Sequence, residues 1–196
     1  MPDDLVLHCN DDNDLYRVLV ESGIAARRCD SLDEAVSAAS SGGAVLALAD
    51  AYPRPTPGVS ADLLARTADK DLRLYLEYPA MVGDLALGEP QPTQWERAVV
   101  ASDFFGTRLE AGRILALHGC WYLPAEARSP HLVVARVAGY HRAVHGLPAG
   151  AAPVLWELPD QPVLVAATKL SQFVTGRYGP TPAWQTIWQR ILQWLL

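Results

Sequence analysis

Clustered positive charge is missing from this 196-residue chain: its 16 Lys and Arg are outnumbered by 22 Asp and Glu, for a formal net charge of -6. Surfaces that track a phosphate backbone depend on clustered cations that release counterions, so nucleic acid is not among the expected partners. Cysteine is scarce as well. The three present, Cys9, Cys29 and Cys120, stand in unrelated local contexts, which suggests neither a disulfide framework nor a paired-Cys zinc site and reads as reduced thiols. No apolar stretch approaches the ~20 residues that span a bilayer. The start, Met1-Pro2-Asp3-Asp4, lacks the positive and apolar regions of an export signal. The expectation is a cytoplasmic protein with no membrane partner. Internal repeats and low-complexity tracts are also lacking.

Half of the residues are hydrophobic and 19% are charged, enough to bury one substantial core within the usual range of a single domain. Leu5 to His8 reads as a short strand, and Asn10 to Asp14 offers N-caps for a helix with Leu15, Val18 and Leu19 on one face. Gly23 ends that helix. Ile24 to Arg28 suits a second strand; Ser31 and Glu34 then have capping-box spacing ahead of a helix burying Leu32, Ala35, Val36 and Ala39. Ala44 to Ala49 is wholly apolar, the pattern of a strand covered on both faces of a parallel sheet. After a Pro-rich loop from Tyr52 to Gly58, Ser60 caps a helix with Leu63, Leu64 and Ala68, and Leu72 to Leu76 gives a fourth strand stopped by Pro79. This βαβαβαβ order implies right-handed crossovers and a parallel sheet with helices on both faces.

The second half has short β-rich runs, Ala98 to Ala101, Ile114 to Leu117, Leu132 to Val137, Val154 to Leu158 and Val163 to Thr168, which predict hairpins or extra sheet strands. A final helix opens at Thr181-Pro182 and places Trp184, Ile187, Trp188, Ile191, Leu192 and Leu195 on one stripe. The fold expected is α/β: a flavodoxin-like three-layer sandwich with a mostly parallel sheet, helices on both faces and β-rich additions in the second half. One domain over residues 1–196 is expected. Because no Gly, Asn or Pro stops the last helix, the reading makes it the N-terminal part of a longer chain.

In open parallel sheets ligands bind beyond the carboxyl ends of the strands, which selects His8-Cys9-Asn10-Asp11-Asp12, Asp50 and Glu77-Tyr78. The first turn carries neither G-x-G-x-x-G nor a P-loop, and its carboxylates would repel a pyrophosphate, so no nucleotide cofactor is expected. Asn10 to Asp14 has an ordinary role as a cap on the helix dipole and a less ordinary one as a ligand or metal site. Glu77, directly after the fourth strand, is the sharpest candidate for an acid or base or for a partner of a sugar hydroxyl; the alternative is a solvated strand end.

Cys120 neighbours His118, but residues adjacent in a strand point to opposite faces and no small residues form a nucleophile elbow, which favours a packed thiol. Cys9 meets the same objection. His141 and His145 are spaced i, i+4 without the Glu of H-E-x-x-H and with Gly and Pro flanks, so they read as a surface pair and no metal is expected. Lys169 and Arg177, in the loop between the last strand and the last helix, are candidates to bind a ligand or to tie that helix to the sheet.

The order of these elements, with a key turn at Leu76-Glu77-Tyr78-Pro79, resembles the class I glutamine amidotransferase-like superfamily, including ThuA-like proteins and the trimerisation domain of certain β-galactosidases. The resemblance covers nearly the whole chain and rests on layout plus this turn. It implies a Cys between glycines where Glu77 and Tyr78 stand, and a late His and Glu pair where Val174 to Pro180 stands. Both are missing, so glutaminase chemistry is not expected. The resemblance implies a catalytically degenerate, carbohydrate-related domain that binds a small polar ligand through Asn10, Asp11, Asp50, Glu77, Tyr78, Lys169 or Arg177, or that mediates assembly with other domains of its chain. Two alternatives stand beside it. One is a hydrolase using Glu77 or Cys120; the other is a self-associating module, a homo-oligomer built on Trp95, Trp121 and Trp156.

Overall fold

The computed structural model describes residues 5–117, 119–175 and 181–196. Its elements run β1 (Leu5–His8), α1 (Asp14–Glu21), β2 (Arg27–Cys29), α2 (Leu32–Ala38), β3 (Ala44–Ala47), α3 (Ala61–Asp69) and β4 (Arg73–Glu77). Then come β5 (Met81–Val82), β6 (Leu85–Ala86), β7 (Gln91–Pro92), β8 (Arg97–Val100), β9 (Ile114–Leu115) and β10 (Trp121–Tyr122). The chain finishes with β11 (Leu132–Ala135), β12 (Ala152–Glu157), β13 (Val163–Ala166) and α4 (Thr181–Leu195).

A nine-stranded sheet has the order β2-β1-β3-β4-β13-β12-β11-β8-β9. From β2 to β13 every neighbour is parallel; from β13 to β9 every neighbour is antiparallel. The second-half runs are therefore extra strands of one mixed α/β sheet, and β13 is the pivot that returns the chain beside β4. Two short antiparallel ribbons, β5 with β6 and β7 with β10, lie outside the main sheet. With two residues per strand they leave no alternating signature in the sequence.

Local chemistry explains why the elements begin and end where they do. Each of the first three helices opens with an orphan backbone N–H satisfied by a short polar side chain. Asn13 accepts from Leu15 N–H at 3.0 Å, Ser31 from Glu34 N–H at 3.1 Å and Ser60 from Leu63 N–H at 3.2 Å. The Lys70 ammonium closes α2 from outside, donating to the carbonyls of Val36, Ser37 and Ala39, a favourable place for a cation at a helix C-terminus.

The core lies on the sheet. All residues of β3, β11 and β13 are buried, as a strand covered on both faces requires. On α4 the apolar stripe of Trp184, Ile187, Trp188, Ile191 and Leu195 is buried. Trp188 meets Tyr75 of β4 edge-on at 5.3 Å and donates its indole N–H to the Leu170 carbonyl at 3.1 Å, so its polar edge is satisfied as a buried indole requires. Trp156 corrects the expected aromatic surface: it sits mid-strand in β12 beside Val165 of β13 and is 2% exposed. Only Trp95 of the three tryptophans is broadly exposed, at 76%; Trp121 is half-buried.

Candidate functional site

The connection after β1 leads outward to β2, whereas the one after β3 leads the opposite way to β4. Between the carboxyl ends of β1 and β3 the crossovers therefore diverge and leave a crevice, the position at which open α/β sheets hold ligands. A cleft of about 310 Å³ occupies it. Its floor is apolar, made by Ala47, Leu76, Val59, Leu63 and Pro79. Its polar border is His8, Asp30, Ser31, Asp33 and Thr56.

The border groups differ in how far they are already committed. Asp30 pairs with Arg28 at 2.6 Å and Asp33 with Arg66 at 2.7 Å, so both carboxylates are neutralised locally. The Ser31 hydroxyl is committed as a cap, and Thr56 donates to the carbonyls of Glu77 and Tyr78, each at 3.2 Å. His8 stands apart: its Nδ1 is buried and has no hydrogen-bond partner among the described residues. A buried polar atom without a partner carries a desolvation cost that a bound group can offset.

Glu77 is not on this surface. It is 0% exposed, and its carboxylate is enclosed by four donors. Oε2 accepts from Ala49 N–H at 3.0 Å and the Ser171 hydroxyl at 2.8 Å; Oε1 accepts from Ser171 N–H at 2.8 Å and the Tyr75 hydroxyl at 3.1 Å. Burial raises its pKa above the ordinary carboxylate value, opposed by the Ala49 and Ser171 donors and by the charge of half-buried Lys169. The residue therefore ties the ends of β3 and β4 to the segment after β13. The solvated strand end and the accessible acid considered from sequence both give way to this sealed anchor, because Ser171 closes over the carboxylate from 94 residues away in the chain.

The sharp turn of the strand end falls one residue later. Tyr78 has φ +56°, a left-handed conformation that costs a bulky residue energy and persists only where its surroundings enforce it. Its N–H donates to Ala166 at 2.6 Å and its carbonyl accepts from Thr56 N–H at 2.9 Å. The ring is fully buried, edge-on to Tyr52 at 4.9 Å, and the hydroxyl is buried without a partner among the described residues. Burial raises its pKa. Tyr52 in turn exchanges hydrogen bonds with the Trp121 backbone, and burial pushes its phenol up to about 12.

Asn10 and Asp50 do come together. Asp50 accepts from Asn10 N–H at 2.6 Å and from the Asn13 amide at 2.8 Å, which joins the turns after β1 and β3 beside the α1 cap. Asp11 is exposed near them. Arg177 and His118 lie outside the described residues. Cys120 is 1% exposed, accepts from the Gln172 amide at 3.5 Å, and burial pushes its thiol up to about 12. Cys9 is likewise buried and pushed up to about 12, chiefly by burial and then by the Asp50 charge. Neither environment generates the thiolate that a cysteine nucleophile needs.

The reading from sequence missed Asp30, Ser31, Asp33 and Thr56. Asp30 to Asp33 follow a strand and open a helix, so the rule that selected Asp50 would have found them; Thr56 comes from the Pro-rich loop and carries no such signal. Among the described residues no group of three or more His, Cys, Asp or Glu is arranged to hold a metal ion, and no helix is long and apolar enough to cross a membrane. Compared with known proteins, the chain matches no family model and no curated sequence.

Proposed function

We propose that the chain is a catalytically degenerate domain of the class I glutamine amidotransferase-like kind, with flavodoxin-like layering, whose crevice between β1 and β3 binds a small polar ligand of carbohydrate type. The observation that carries the reading is the pairing of that open cleft with a sealed Glu77. The cleft offers an apolar floor for the hydrophobic face of a sugar ring and, on its border, the His8 ring and the hydroxyls and carboxylates of Ser31, Thr56, Asp30 and Asp33 for its polar edge. The residues that would have to react instead are buried: Glu77 within four hydrogen bonds, Tyr78 in the strained turn, and Cys120 as a neutral thiol. The same burial weighs against a hydrolase using Glu77 or Cys120.

Layering on both faces is supported by the alternation along β4. Tyr75 meets Trp188 of α4, whereas its neighbour Leu76 lines the cleft with Leu63 of α3, and successive strand residues point to opposite faces. Asn10, Asp11, Asp50 and Lys169 belong to this reading as rim residues that steer or orient a ligand, while Glu77 and Tyr78 shape the rim from beneath.

The test is a thermal-shift and NMR titration of the protein against a panel of neutral mono- and disaccharides, with His8→Ala alongside. Saturable shifts confined to cleft resonances and weakened in His8→Ala support the proposal. No response from the wild type at millimolar sugar refutes ligand binding of this class. Assembly is then the remaining reading, motivated by exposed Trp95, and light scattering that finds a strict monomer at high concentration refutes self-association.

A further inference from the structure

At the far edge of the sheet, away from the β1–β3 crevice, arginines converge in an otherwise acidic chain. A cavity of about 180 Å³ is lined by Arg108, Arg113 and Arg142 together with Thr107, Glu110 and His141. Among the described residues Glu110 is its single carboxylate, paired with Arg142 at 3.3 Å. Among the described residues, Arg108 and Arg113 have no carboxylate within ion-pairing distance. His141 left out of the count, the described lining thus sets three arginines against one carboxylate, two surplus positive charges in a chain of net charge -6.

The backbone builds this grouping. Arg142 bridges to Arg113 in antiparallel fashion, Ile114 N–H donates to His141 at 2.9 Å, and Ala143 N–H donates to Gly112 at 2.9 Å. The segment after β11 is thereby laid along edge strand β9, which sets Arg142 beside Arg113. Two glycines make the approach possible. A Cβ at Gly139, φ +122°, would stand 1.9 Å from the Arg142 carbonyl oxygen, and one at Gly112, φ +86°, would stand 3.2 Å from Arg142 Nε.

A trough of about 450 Å³ adjoins the cavity and shares Arg113 and His141 with it. Its walls include Tyr140, 84% exposed and edge-on to His141 at 4.5 Å, with Ile114, Leu115 and Trp184. Arg97, also on the trough, is fixed by the carbonyls of Gly139 and Val137, so it braces the loop that carries the site.

We propose that the Arg108–Arg113–Arg142 cavity binds the tetrahedral oxyanion of a small phosphate or sulfate ester, whose uncharged part lies along the Tyr140 trough. Guanidinium groups suit this chemistry because their planar forks donate two parallel hydrogen bonds to one oxyanion. The compact cavity matches one anionic group and the larger trough an organic body of monosaccharide size. The site is independent of the β1–β3 crevice, shares no residue with it, and stands or falls separately.

Isothermal titration at low ionic strength with glucose 6-phosphate, glucose 6-sulfate, inorganic phosphate and glucose tests it. Both esters bind saturably, inorganic phosphate binds more weakly, any heat from glucose is unchanged in Arg113→Ala and so comes from elsewhere, and added salt weakens ester binding as screening demands. Arg108→Ala and Arg113→Ala each lose about tenfold in affinity, the worth of one charge-assisted partner. Arg113→Lys, which keeps the charge and loses the fork, falls between. Arg66→Ala, beside the other cleft, binds the esters like wild type. Melting temperatures equal to wild type establish that the variants are folded, and a variant that does not fold is replaced by Arg113→Lys as the deciding measurement. The proposal is overturned by no saturable binding of either ester, by equal binding of glucose at this site, by folded Arg108→Ala and Arg113→Ala proteins that bind as wild type does, or by a short oligonucleotide binding far more tightly than the esters, which would make the face a polyanion surface.

Discussion

Replacing Glu77 by Gln should destabilise the fold by about 1–3 kcal/mol, the cost of leaving one buried donor unpaired. The number follows from the distribution of the four hydrogen bonds. Each carboxylate oxygen accepts one backbone N–H, from Ala49 or Ser171, and one hydroxyl, from Ser171 or Tyr75. Hydroxyls can rotate to accept from an amide NH₂; backbone N–H groups cannot. Whichever way the glutamine amide is turned, one backbone N–H faces a donor. Glu77→Ala orphans both N–H groups and leaves a void, so it should cost about 3–5 kcal/mol. Urea unfolding measures both, from the shift in midpoint at constant slope, and in thermal unfolding each kcal/mol corresponds to about 2–4 °C for a chain of this size. A Glu77→Gln protein within about 0.5 kcal/mol of wild type, the spread of ordinary surface substitutions, would refute the anchoring role and return Glu77 to the list of functional carboxylates.

The pH dependence has a definite sign. Because the folded pKa of Glu77 is raised, the native state holds this proton more firmly than the unfolded chain, so its contribution is complete below the unfolded value of about 4.3 and declines as pH rises through the folded value. The stability difference between wild type and Glu77→Gln should accordingly be larger at pH 4 than at pH 8 in matched urea titrations, and an opposite trend would contradict the raised value. All three thiols, Cys9, Cys29 and Cys120, are buried; they should react with a disulfide reagent only slowly in the native protein and completely in urea, and rapid native labelling of Cys120 would contradict its neutral, enclosed state. Tyr78→Phe removes a buried hydroxyl that has no partner among the described residues. It should leave stability unchanged or raise it by up to about 1 kcal/mol, and a clear loss would reveal a bond made by that hydroxyl.

Elements with local causes were legible from the chain. Asn13, Ser31 and Ser60 cap helices because a short oxygen two or three residues ahead of an orphan N–H satisfies it without help from elsewhere. The wholly apolar Ala44 to Ala47 could only be a covered strand. The β-rich runs of the second half were recognisable as strands from composition, but their antiparallel order around the β13 pivot was not, since pairing depends on partners far apart in sequence. Trp156 illustrates the limit on a single residue: an aromatic in a β-rich run reads the same whether its face of the sheet is open to solvent or covered, and here it is covered.

Sequence alone determined the α/β character, the caps and the strand ends from which the rim residues come, because propensity, capping and hydrophobic periodicity act over a few residues. Tertiary structure decided what those strand ends do. It sealed the Glu77 carboxylate with Ser171, placed His8 on the border of an open crevice with its Nδ1 buried and unpartnered among the described residues, and gathered Arg108, Arg113 and Arg142 around one cavity. Burial and the convergence of side chains are properties of the packed chain, set by contacts between segments that lie dozens of residues apart.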